Sequence, residues 1–206
     1  MAKQSNPDRL TAVILAAGSS TRLGQPKQLL DWQGRPLVRH IAEIALASVV
    51  DGVAIVTGAY ADETAGALDG LCVQLVFNPD YRLGQSTSLR AGLVALDPDA
   101  SAVVVLLVDQ PTVVPAAIDA VVGIWHARRS LIVQARHGST PSHPVLFARP
   151  LFAELQHVQG DEGARSILRA NRDEIAFADL PGPAPFDIDT EDDYRTALAT
   201  GSTLID

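Results

Sequence analysis

The densest chemistry in this chain lies between Leu15 and Leu30, in the run LAAGSSTRLGQPKQLL. Gly18 to Leu30 hold two glycines, three hydroxyls, one arginine and one lysine. The mostly apolar run Thr11 to Leu15 reads as a buried strand, so the residues after it form a loop at a strand end. Glycine lets a backbone approach a ligand closely, and successive N–H groups make an anion-binding concavity. Arg22 and Lys27 are placed to reach over such a guest, and a triphosphate fits best. The alternative is a glycine-rich β–α turn with solvated charges. Two better-known phosphate patterns do not match. A dinucleotide fingerprint needs G-x-G-x-x-G, whereas five residues separate Gly18 from Gly24. A P-loop needs four residues there and then Lys-Ser/Thr, and here Gln25 follows Gly24.

Carboxylates supply the second kind of chemistry. In LLVDQP (106–111) Asp109 ends an apolar strand just before Pro111, which puts a carboxylate at the mouth of a sheet or simply caps a turn. Mg²⁺ uses one or two such carboxylates together with substrate phosphate oxygens. In FDIDTEDDY (186–194) Asp187 and Asp189 alternate with Phe186 and Ile188, so both point to one side of a short strand. Either could complete a metal site begun by Asp109. Thr190 reads as an N-cap with Asp193 at the third helical position, and Glu191 to Asp193 as first-turn acids that favour the helix dipole.

NPDYRLGQSTSLRAGL (78–93) closes a strand at Asn78 and Pro79. Gly84 then permits a tight turn, and a helix begins near Ser86 or Ser88. Free N–H groups and hydroxyls at a helix start can hold a ligand edge, or can be plain capping. GQSTS is not a nucleophile elbow, because Ser88 stands where G-x-S-x-G needs its second glycine. The histidines include no pair at helical spacing and no HExxH. Four of the five are expected at the surface, while His143, in STPSHPVLF, faces a cleft.

Composition narrows the partners. The 206 residues suit one domain, 1–206, with a short polar tail over about 1–9. The formal charge is −8, with only Lys3 and Lys27 as lysines and no basic cluster beyond short pairs such as Arg128-Arg129, which argues against a nucleic-acid partner. Positive charge for a phosphate ligand must therefore be local. No apolar run reaches the ~20 residues of a membrane span, and the first residues carry no apolar leader, so no membrane is expected. Cys72 is the only cysteine, which excludes an intrachain disulfide and a cysteine-rich zinc site. The cytoplasm is the expected location.

These residues need a scaffold. Strand-like runs recur at 11–15, 52–57, 72–77, 102–108, 131–135 and 144–148, nearly continuous in apolar character as in strands buried on both faces. Helix-like segments lie between them at 36–50, 61–68, 86–96 and 115–129, with Pro36 and Pro115 suited to first turns. Strand and helix alternate, so an α/β sandwich with a mostly parallel sheet is expected. In such sheets ligands gather at the carboxyl ends of the strands, where the Gly18 loop falls.

In order along the chain, these segments resemble the MobA-like nucleotidyltransferases, most closely the molybdenum cofactor cytidylyltransferases. LAAGSSTRLGQPKQLL is similar to the family's LAAG-x-S-x-R-M-G-x-x-K, with Leu23 in place of methionine. NPDYRLGQSTSLRAGL, LLVDQPTV, SHPVLF, GDEGARSIL (160–168) and DIDTEDDY match further motifs, and the resemblance spans roughly residues 10 to 200. It implies a three-layer α/β/α, Rossmann-like fold of the nucleotide-diphospho-sugar transferase type. It also implies transfer of CMP from CTP to the phosphate of a molybdopterin-type acceptor, with Mg²⁺ and release of pyrophosphate.

By the same resemblance Arg22, Lys27 and Asp109 would be catalytic. Leu15, Ala16, Ala17, Gly18, Ser19, Arg22, Lys27, Gly84, Ser88 and Asp109 would bind nucleotide. Asp109 and Asp187 would hold the metal, with Asp189 in reserve, and His143 and Asp189 would lie on the substrate side. A molybdoenzyme or its maturation chaperone would receive the product. Two departures stand out: Ser142-His143-Pro144 where the family often has Gly-His-Pro, and Glu191-Asp192-Asp193 where it often has Pro-Glu-Asp. GTP in place of CTP, a sugar or isoprenoid phosphate as acceptor, and a non-catalytic cofactor-binding protein are the alternatives.

Overall fold

The computed structural model describes residues 8–20 and 23–201. Its strands are β1 (Arg9–Leu15), β2 (Asp31–Trp32), β3 (Arg35–Pro36), β4 (Gly52–Thr57), β5 (Gln74–Phe77), β6 (Ala100–Leu107), β7 (Ile132–His137), β8 (Thr140–Ala148) and β9 (Ala176–Leu180). Its helices are α1 (Leu37–Leu46), α2 (Ala61–Ala67), α3 (Gln85–Val94), α4 (Pro115–Arg128), α5 (Phe152–Leu155), α6 (Arg165–Ala170) and α7 (Glu191–Gly201). Seven strands form one sheet in the order β5-β4-β1-β6-β8-β7-β9, and β2 with β3 makes a separate small hairpin. The sheet is mostly parallel, as the alternation of strands and helices predicts. Only β8 runs against its neighbours, β6 and β7.

Burial explains why the central strands are apolar throughout. Ala12 and Ile14 of β1, and Val104 and Leu106 of β6, enter a core shared with α1, α4 and α7. Val13, Leu15, Val103 and Val105 point the other way, into a core with α3, α5 and α6. Three layers follow, with the sheet in the middle. Full burial of each valine, leucine or isoleucine among them is worth about 1.5–3 kcal/mol, so the parallel strands need apolar residues on both faces.

Several expectations are corrected. The turn-rich stretch after Arg129 holds a β-hairpin: β7 and β8 are joined by Gly138 and Ser139 alone, a length that permits only antiparallel pairing. Gln134 pairs with Val145 but Ala135 with Ser142, so His143 and Pro144 are extra residues on β8 and form a bulge. β9, at the sheet edge, has no β-branched residue and gave no strand signal. Pro36 precedes α1 as its extended N-cap rather than sitting in its first turn, whereas Pro115 does open α4. His40 is not at the surface. It is 9% exposed on the inner side of α1, where Nδ1 accepts from Arg35 and Nε2 donates to the Pro111 carbonyl at 2.8 Å. Among the described residues, no helix is long and apolar enough to cross a membrane.

Candidate active site

A cavity of about 460 Å³ opens at the carboxyl ends of β1 and β6. The first loop supplies Leu15, Ala17, Gly18, Ser19 and Lys27 to its wall. Gly84 and Ser88 enter from the start of α3, Asp109 from the end of β6 and Asp189 from the segment before α7. Residues far apart in the chain thus meet where the sequence pattern places a ligand.

Lys27 is the centre of the polar wall. It opens a single 3-10 turn, Lys27–Leu29, and its backbone N–H donates to Ser20 Oγ at 2.9 Å, which fixes the loop's return. The ammonium then donates to Asp109 Oδ2 at 2.9 Å and to Asp189 Oδ1 at 2.6 Å. Burial works against the charge on Lys27, but the two carboxylates outweigh it and its pKa lies above the ordinary lysine value. Burial likewise pushes Asp109 up, with Lys27 opposing and Asp187 adding to the rise. Gln28, 1% exposed, donates to the Ala59 carbonyl at 3.1 Å and braces the loop from beneath.

Two motifs join through the backbone. The Ile188 N–H donates to the Asp109 carbonyl at 3.0 Å, and the Ile188 side chain is fully buried. Asp187 and Asp189 therefore project from the other side of the segment, as alternation predicts, although the segment is not a ladder strand. Asp189 is held further by the cap of α7. Thr190 and Asp193 exchange bonds at 3.2 and 2.8 Å, and the Asp189 N–H also donates to Asp193 Oδ2. Asp187 Oδ1 accepts from Gln110 Nε2 at 2.7 Å.

Asp109 keeps one acceptor unmet. Oδ1 is buried and has no hydrogen-bond partner among the described residues, while Asp187 stands near enough to act on its charge. A buried carboxylate oxygen left unsatisfied beside a second carboxylate suits a hard cation. No cluster of three or more His, Cys, Asp or Glu offers a closed metal cage among the described residues. The remaining ligands would come from phosphate or water, as Mg²⁺ sites use.

Not every expected residue reaches the cavity. Ala16 is 1% exposed and its N–H is spent on the Val56 carbonyl at 2.9 Å, so the sheet has taken the backbone expected to touch nucleotide. Asp187 lies outside the cavity wall, on Gln110. His143 lines two smaller clefts instead, and burial pushes its pKa down to about 4. Arg22 lies outside the described residues. Gln28, Gln110, Tyr81, Arg82, Gln85 and Asp161 lie inside the quoted motifs but were not singled out as site residues. Membership of those motifs was the signal that could have found them.

Comparison with known proteins agrees with this geometry. Residues 12–175 match the model of the MobA-like NTP transferase domain. The chain is 34% identical over 171 residues to nicotine blue oxidoreductase of Paenarthrobacter nicotinovorans, covering 78% of this chain and 81% of that protein. It is 27% identical over 190 residues to the molybdenum cofactor cytidylyltransferase of Escherichia coli, covering 91% and 95%. It also matches the bifunctional protein GlmU of Sorangium cellulosum, 35% identical over 123 residues and 56% of this chain, but spans only 25% of GlmU's length. Rv0371c of Mycobacterium tuberculosis, solved in complex with manganese, superposes with a TM-score of 0.82 at 30% identity, covering 93% of this chain and 99% of that one. The chain belongs to the MobA-like NTP transferase family and is a nucleotidyltransferase.

Proposed function

We propose that this nucleotidyltransferase moves a CMP group from CTP to the phosphate of a molybdopterin-type acceptor and releases pyrophosphate. The observation that carries the reading is Lys27, clamped between Asp109 and Asp189 at the mouth of the sheet, beside an unmet oxygen of Asp109. The likeness to the molybdenum cofactor cytidylyltransferase along nearly the whole of both chains supports the choice of nucleotide and acceptor.

The chemistry asks little covalent work of the protein. An acceptor phosphate oxygen forms a bond to the α-phosphorus in line, and the bond from that phosphorus to the bridging oxygen breaks. The electron pair leaves with pyrophosphate. Positioning and charge compensation carry such transfers. Lys27 would turn its ammonium toward the departing phosphates, and Arg22 is assigned the same task. The Gly18–Ser20 backbone would cradle the triphosphate, while Asp109 and Asp187 would hold Mg²⁺. When bound, that ion screens the repulsion between anions and stabilises charge on the phosphate oxygens. That Rv0371c was solved in complex with manganese supports a divalent ion as the cofactor. We place the reaction in the cytoplasm.

Incubating the full chain with each NTP, Mg²⁺ and molybdenum cofactor, and measuring pyrophosphate, tests the reading. Release that depends on CTP and on the acceptor is expected. Release with another nucleotide, or with a sugar phosphate alone, would replace it.

A further inference from the structure

The cavity wall carries one carboxylate that the phosphate chemistry leaves idle. Asp161 comes from the 3-10 turn Gly160–Glu162, lines the same cavity as Lys27 and Asp109, and makes no hydrogen bond or ion pair to the described residues. Its position is set by packing. Gly84 has φ +108°, and a Cβ built there would lie 2.5 Å from the Gly160 carbonyl and 2.8 Å from Asp161 Oδ1. Gly163 has φ +54°, and a Cβ there would lie 2.6 Å from Gln85 Oε1. The turn 160–163 is thus closed onto the first residues of α3 with a glycine on each side of the contact. A side chain at Gly84 would have to move the turn's backbone, whereas one at Gly163 would displace the Gln85 amide and hold a left-handed φ.

Ser88 supplies the complementary group. Its hydroxyl oxygen accepts from Asn78 Nδ2 at 3.0 Å, so the hydroxyl proton is the part left to give. Thr87, its neighbour, has already directed its hydroxyl to the Asp80 and Gly84 carbonyls. One cavity therefore presents an acceptor-only carboxylate and a hydroxyl donor.

We propose that Asp161 reads the nucleobase: its carboxylate accepts the exocyclic amino N–H of cytosine while Ser88 donates to a ring acceptor of the same base. Uracil is the same size but places a carbonyl where cytosine has its amino group, so its lone pairs would face the Asp161 oxygens. Discrimination between the two pyrimidines then falls on charge and hydrogen bonding rather than on fit. The inference rests on the cavity being a nucleoside-triphosphate site, and the test separates the two.

Binding of CTP and of UTP to the full chain with Mg²⁺, measured by calorimetry, is compared for the wild type, Asp161→Asn, Asp161→Ala and Glu162→Gln. The wild type is expected to prefer CTP. In Asp161→Asn the amide offers uracil a donor, and the CTP-to-UTP affinity ratio falls by about tenfold to a hundredfold. Asp161→Ala, which removes the repulsion, lowers the ratio in the same direction, and it is read alone if the amide variant does not fold. Glu162→Gln, which loses only its surface pairing with Arg169, keeps the wild-type ratio. A ratio unchanged in the Asp161 variants overturns the assignment and leaves the triphosphate site standing. So does a wild type that binds UTP as tightly as CTP, or a folded variant that loses both nucleotides alike. A wild type that binds neither nucleotide overturns the site itself as well.

Discussion

The Ile188 amide donates to the Asp109 carbonyl at 3.0 Å, and this bond brings two acidic motifs from distant parts of the chain to one place. With Ile188 anchored in the core, Asp189 is carried to Lys27 and Asp187 to Gln110. A strand end and a helix cap are thereby locked together behind the cavity.

Removing either member of the central ion pair should cost turnover. Lys27→Ala and Asp109→Ala are each expected to lower pyrophosphate release by ~10²-fold or more, by comparison with losses on deleting other transition-state donors. Lys27→Arg should not restore it, because a planar fork does not replace a compact ammonium between two carboxylates. Near-normal release by either folded alanine variant would remove that residue from the reaction, and near-normal release by Lys27→Arg would show that the charge alone suffices.

The two remaining aspartates should separate in a metal titration. Asp189 is already engaged by Lys27, whereas Asp187 is near enough to raise the pKa of Asp109, whose Oδ1 is unmet. Asp187→Asn is expected to weaken Mn²⁺ binding by about tenfold or more, in the range seen when metal-site groups are altered. Asp189→Asn should weaken it less and act mainly through Lys27. The reverse order, read by paramagnetic relaxation of water protons, would make Asp189 the ligand.

Stability should decline on the acid side of neutrality. Burial lowers His40, and it lowers His143 from 6.5 to about 4. Above pH 6.5 both are neutral in the folded and unfolded chain and contribute no slope. Below it the unfolded chain takes up protons that the folded chain refuses, so stability falls as pH drops from about 6.5 towards 4. For His143 the whole window is worth at most about 3 kcal/mol. Urea unfolding across pH 7.5 to 4.5 should show the decline, and His143→Gln should flatten it. An equally steep decline in that variant would assign it elsewhere.

The cap of α7 should matter to more than its own helix. Thr190→Ala removes the hydroxyl bonded to Asp193 and is expected to cost about 1 kcal/mol in urea unfolding, with Thr190→Ser close to wild type. Since Asp193 also holds the Asp189 N–H, the alanine variant should weaken triphosphate binding, measurable by calorimetry. A stability loss with unchanged binding would confine the cap's role to the helix.

The local chemistry was legible from residue types. Buried parallel strands, the loop after Leu15, the carboxylate at the end of β6 and the capping box at Thr190 all follow from patterns spanning a few residues, where near neighbours decide conformation. His40 was misread because α1 turns that position inward, and helical phase against a core is a property of packing. β9 was missed because AFADL is short and carries no β-branched residue, and it pairs only with β7.

By itself, then, the sequence determined the alternation of strand and helix and the loop rich in glycine, hydroxyl and cationic groups, because periodicity and turn chemistry are encoded in adjacent residues. Only the tertiary structure decided that Lys27 holds both Asp109 and Asp189, that Asp187 sits on Gln110, and that the turn bearing Asp161 is packed against Gly84. Those choices turn on contacts between segments tens of residues apart, which exist only once the cores on both faces of the sheet have closed.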